Sequence, residues 1–140
     1  MVIQRWQTLF LLLAAICMAL VSFLSLGTGT LPCGDTGCLS SLDFLPLFIV
    51  NILVTVLLVI DIFLFKNLGL QKKVAMVNIL LEIVSIVIIG LLMIPSLSLS
   101  HIQVLSWTAT LPVVALILTI LARSRMSADE RLLKSYDRLR

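Results

Sequence analysis

Charge is what this chain has least of. Asp, Glu, Lys and Arg make up 12% of its 140 residues, about half the ~25% of a soluble domain. There is a single His, and there are only three Cys. Cys33, Cys38 and Asp35, with no His nearby, do not complete a set of metal ligands. No phosphate-binding glycine loop, HExxH, Ser-His-Asp set or nucleotide fingerprint occurs, so no catalytic residue is assigned and no cofactor is implied. Enzyme activity is the less favoured expectation.

What fills the space is apolar. Hydrophobic residues make up 61% of the chain, and the mean hydropathy is +1.21. A soluble core of this size could not hide that much apolar surface, so the expected solvent is lipid. Four apolar runs, at about 8–26, 44–65, 74–94 and 104–122, each match the ~20 residues that cross a bilayer. Together with a tail at 123–140 they account for one membrane domain over 1–140. The expected fold class is an all-α, four-transmembrane-helix up-down bundle with a short amphipathic C-terminal cytoplasmic helix.

Net charge is +3, but its placement argues against nucleic acid. Arg5, Lys66, Lys72, Lys73, Arg123, Arg125, Arg131, Lys134, Arg138 and Arg140 all flank the runs on one side. The connections around 27–43 and 95–103 contain no Lys or Arg. Under the positive-inside rule this places both termini in the cytoplasm. A cleaved signal peptide competes for the first run, because Gly27-Thr28-Gly29 is small enough to be cut. That run is longer than the usual ~7–15 residues, which favours a retained span. Neither Cys17, after Ile16, nor Cys33, after Pro32, suits a lipoprotein signal. Ala15, Ala19 and Ser22 form a small-residue face in the first span. Thr108, Ala115, Thr119 and Ala122 form another in the fourth, and the two are expected to meet. Pro112 is expected to kink the fourth span.

The 27–43 connection reads as a loop. Cys33 and Cys38 within it are a candidate disulfide, read first as a loop staple and second as a periplasmic-facing thiol redox pair. His101 is expected at the outer interface without a catalytic or ligand role.

The central hairpin carries the chemistry that needs explaining. Asp61 lies about 6–7 Å inside the basic turn Lys66–Lys73, and Glu82 lies deeper. A charge at membrane depth costs roughly 2.5 kcal/mol or more. A hairpin centred on Gly69 would place Asp61 opposite Asn78. Asn78, Glu82 and Ser85 follow at helical spacing, which predicts a polar stripe of Asp61, Asn78, Glu82 and Ser85. The stripe is either a hydrogen-bonded seam that fixes helix register or a proton, ion or partner site. In the tail, Ser127-x-x-Glu130 resembles a capping box that opens a separate helix. That helix would present Arg131, Leu132, Lys134, Tyr136, Arg138 and Leu139 to the membrane surface or to a partner.

IQRWQTLFLLLAAICMAL, FLFKNLGLQKKVAMVNILLEI and the closing YDRLR resemble a family of small four-span inner-membrane proteins of Bacteroidetes, catalogued as a domain of unknown function. The resemblance implies a bacterial inner-membrane location and no activity, substrate or cofactor. The first functional expectation is therefore a non-enzymatic accessory or scaffold subunit of a larger membrane assembly. Its partners would be the bilayer and a membrane protein or a second copy. The alternative is a small proton- or ion-coupled transporter using Glu82 and Asp61.

Overall fold

A computed structural model of the chain describes residues 2–30, 36–64, 67–94 and 101–138. Four helices dominate: α1 (Val2–Phe23), α2 (Leu45–Phe63), α3 (Leu68–Leu92) and α4 (Leu111–Arg138). All four contain stretches long and apolar enough to cross a membrane. Each packs against its neighbours in sequence, and α4 closes back on α1. The result is a ring of four helices.

The interior mixes apolar and polar side chains, and the outer surface is strongly apolar. Gln7, Asn51, Asp61, Gln71, Asn78, Glu82 and Thr119 lie inside, while Ile49, Phe63, Leu80 and Val87 face out. Apolar groups gain nothing by hiding from lipid. Close packing and interhelical hydrogen bonds then hold the helices together. Of the small faces that the sequence predicts, Ala15 of α1 shares a cluster with Ala115 and Ala122 of α4, while Ala19 is half-buried outside it. Ala14, Ala15 and Met18 of α1 share one cluster with Ala115, Ala122 and Met126 of α4, and the α1–α4 contact is the most extensive in the bundle. Ala115 is fully buried, so Ala115→Leu should overpack this seam at a cost of about 1–3 kcal/mol. A lowered midpoint for thermal unfolding in detergent would show it; an unchanged midpoint would mean the helices do not pack this closely.

The all-α expectation needs correcting. A three-stranded antiparallel sheet closes one end of the bundle, with β1 (Ser25–Thr30) between β2 (Thr36–Ser40) and β3 (His101–Leu105). β1 pairs Thr28 with Cys38 on one side and with Val104 on the other. Leu26 and Leu39 turn inward and join Val21, Leu47, Ile89, Leu92 and Ala109 in a second apolar cluster beneath the sheet. Asp43 accepts from both the backbone N–H (2.8 Å) and Oγ (2.9 Å) of Ser40, which fixes the turn that leads into α2.

Three boundaries also move. Residues 101–105 are strand, and α4 starts at Leu111 after a 3-10 turn at Trp107–Thr110. Pro112 therefore lies in a first helical turn, where no hydrogen bond is lost and no kink is required. Residues 68–73 are the start of α3 rather than a turn. No separate tail helix opens at Ser127: α4 runs unbroken for 28 residues, about 42 Å. No Gly or Pro interrupts 123–138, and Met126 is buried against the bundle, so the helix has reason to continue. Its last third extends past the apolar part of the bundle.

Candidate functional site

The polar residues of α3 recur on one helical face. Gln71, Asn78, Glu82 and Ser85 are all at most 1% exposed, and only Ala75 interrupts them. Asp61 and Asn51 of α2 and Thr119 of α4 are equally buried. They form a column along the inside of the ring, about 21 Å from Ser85 to Gln71.

At the sheet end every link of the column is made. Ser85 Oγ donates to Asn51 Oδ1 (2.6 Å), Asn51 Nδ2 donates to Ser41 Oγ (3.4 Å), and Ser41 Oγ donates to the Val21 carbonyl (2.7 Å). Glu82 comes next. Thr119 Oγ1 donates to Glu82 Oε1 (2.8 Å) and lies 2.9 Å from the Ala115 carbonyl, to which it can also donate. A hydroxyl has one proton but two lone pairs. A charged Glu82 takes the Thr119 proton. A neutral Glu82 gives its own proton to Thr119 Oγ1, whose proton then goes to Ala115. One geometry thus accommodates both forms of the acid.

Below Glu82 the satisfied network stops. Asp61 Oδ1 and Oδ2, Asn78 Oδ1 and Nδ2, Gln71 Oε1 and Glu82 Oε2 are buried without a partner among the described residues. An unmet buried polar group costs about 1–3 kcal/mol. Six such atoms lie inside the ring of helices, two on α2 and four on α3. No group of three His, Cys, Asp or Glu suited to a metal ion occurs among the described residues, so the unmet oxygens favour protons, water or a weakly held cation.

The expected Asp61–Asn78 bond is not formed. Because α3 begins at Leu68, the hairpin turns earlier than Gly69, and the residue level with Asp61 is Gln71. Its Nε2 donates to the Asp61 carbonyl (3.1 Å). The pairings Glu82–Thr119, Lys72–Glu130, Gln7–Asp129 and Ser85–Asn51 fix the register of all four helices. Leu11, Leu58, Ala75 and Met126 face the interior of the ring. All four are fully buried and belong to one cluster. Ala75 is the one apolar position on the buried face of α3 between Gln71 and Asn78.

At the far end, Gln7 Nε2 donates to Asp129, which brings the start of α1 to the extension of α4. Glu130 pairs with Lys72 and, at 2.9 Å, with Lys134. Hydrogen bonds from Lys72 first and Lys134 second, reinforced by their charges, hold the Glu130 carboxyl down at about 2. This pairing supports the fold at all pH values above the ordinary carboxylate range. It is lost as pH falls through the depressed value.

The other sequence candidates scatter. Cys38 is exposed on β2 and Cys17 is half-buried in α1, while Cys33 lies outside the described residues, so the candidate disulfide is not carried further. The side chains of His101, Arg138 and Leu139 also lie outside them. Arg131, Leu132, Lys134 and Tyr136 are exposed on the α4 extension. Sequence reasoning missed Asn51, Thr119 and Gln71 as members of the column. For Thr119 and Gln71 the signal was helical phase: Thr119 lies on the same inward face as Ala115 and Ala122, and Gln71 one heptad before Asn78.

The fold is a ring of four helices, each long and apolar enough to cross a membrane, with a column of buried polar side chains inside it. The chain belongs to the family described as Domain of unknown function (DUF4293), whose profile matches residues 3–139. Comparison with curated proteins and with solved structures finds no match.

Proposed function

We propose that this protein is a proton-handling membrane protein in which Glu82 is the exchange site and Asp61 the relay at the basic end. The supporting observation is the interior column, with both carboxyls fully buried and three of their four oxygens unpartnered among the described residues. A buried acid with no cation beside it is most cheaply neutralised by a proton. Thr119 offers Glu82 a partner in either state. Water threaded between Glu82, Asn78 and Asp61 would complete the path, with the apolar cluster at Ala75 as its barrier. The charge asymmetry of the chain supports a bacterial inner-membrane orientation with both termini inside. Purified protein in liposomes loaded with a pH-sensitive dye tests the reading. An imposed potential should drive proton entry above that of protein-free vesicles, and equal rates would overturn it.

A second reading, an accessory or scaffold subunit, draws on a different observation. Leu133 and Tyr136 are 58% and 72% exposed on the α4 extension, beyond the apolar part of the bundle, where lipid tails would not cover them. Extraction from native membrane in mild detergent should then recover the protein with a stoichiometric partner. Recovery as a lone protomer would count against this reading.

A further inference from the structure

The continuous course of α4 creates a cleft that a tail lying flat on the membrane would not. It opens between the start of α3 and the α4 extension, with a volume of about 1070 Å³. Lys72, Arg123, Arg131 and Ser127 line its polar part, and Ile79 and Ile120 line its apolar part. The two parts are ordered along the helix axis. Ile79 is seven residues from Lys72 toward the bundle centre, about 10 Å, and Ile120 lies likewise inward of Arg123. Lys72 is already engaged by Glu130. Arg123 and Arg131 have no ion pair among the described residues.

We propose that this cleft is a binding site for an anionic phospholipid, with the phosphodiester between Arg123 and Arg131 and an acyl chain along Ile79 and Ile120. Charge complementarity carries the assignment. Two guanidiniums without acidic partners stand where the apolar face gives way to the charged one, and guanidinium is the side chain best matched to phosphate oxygens. A basic cleft between helices at the membrane boundary is the usual setting for anionic headgroups. A free phosphate would leave the apolar wall uncovered; a lipid covers both parts with one molecule. The site is independent of the proton column, since none of its residues belongs to it.

The test is lipid retention by the full chain in detergent, read by native mass spectrometry and by thermal unfolding. The probes are phosphatidylglycerol, phosphatidylcholine of the same chains, and inorganic phosphate. Phosphatidylglycerol should stay bound and raise the unfolding temperature, and the other two should do neither. Arg123→Gln with Arg131→Gln should weaken phosphatidylglycerol binding by about thirtyfold. Lys73→Gln with Arg125→Gln, which removes two exposed cations outside the cleft, should leave it unchanged. Equal retention of the two lipids, displacement by inorganic phosphate, or equal losses in both double variants would overturn the assignment. Should the first double variant fail to fold, Arg131→Gln alone, at an exposed position on the cleft rim, supplies the same comparison.

Discussion

Glu82→Gln should reduce potential-driven proton entry into liposomes to the rate of protein-free vesicles. Gln keeps the shape of Glu and can still accept from Thr119 Oγ1, so the bond at 2.8 Å has a substitute and the bundle should fold. What Gln cannot do is take up and release a proton near neutral pH. Without that, a proton must cross the mid-bundle as a bare charge. At ~2.5–3.5 kcal/mol for a charge at membrane depth, that is a loss of about two orders of magnitude. Glu82→Asp should restore part of the rate, because it returns the acid one methylene short. Infrared difference spectra with pH give an independent readout: a carboxylic C=O band present in the parent and missing from Glu82→Gln. If the variant conducts as the parent does, Glu82 is a structural residue and the proposed function falls.

Met126→Ser should act in the opposite direction and raise proton entry on the order of tenfold. Met126 is fully buried in one cluster with Leu11, Leu58 and Ala75, and Ala75 is the apolar position of the column between Gln71 and Asn78. Shortening the side chain and adding a hydroxyl leaves room for water and gives it a partner. The barrier between Asp61 and the Asn78–Glu82 pair should therefore fall. Stability should fall as well, since removing a large buried side chain commonly costs about 2–5 kcal/mol. Flux must be measured well below the unfolding midpoint of the variant. Combining Met126→Ser with Glu82→Gln separates an opened path from a general leak: the rise should disappear in the double variant if the path runs through Glu82. A rise that survives would show that the bundle simply leaks.

The helices and most of the column were legible because both depend on local spacing. An apolar run of bilayer length identifies a span by itself, and Asn78, Glu82 and Ser85 announce their shared face by falling four and three residues apart. The partners were less legible because they depend on register between helices. Gly69 read as the centre of a turn, yet it sits within α3, and that small shift exchanged Asn78 for Gln71 as the neighbour of Asp61. The sheet escaped notice for a related reason. Ser25–Thr30 and Thr36–Ser40 are too rich in Gly, Ser and Thr to show the apolar alternation of a strand, and β1 finds β3 only across most of the chain. Ser127 matched the local pattern of a helix start, but tertiary packing at Met126 carries the helix through it.

That long-distance pairing orders events during synthesis. β1 emerges with α1, but the strand that covers its second edge, His101–Leu105, follows α3. Until three helices are in place, one side of β1 has open backbone donors and acceptors. A nascent chain stalled before His101 therefore shows a backbone edge that the finished protein hides.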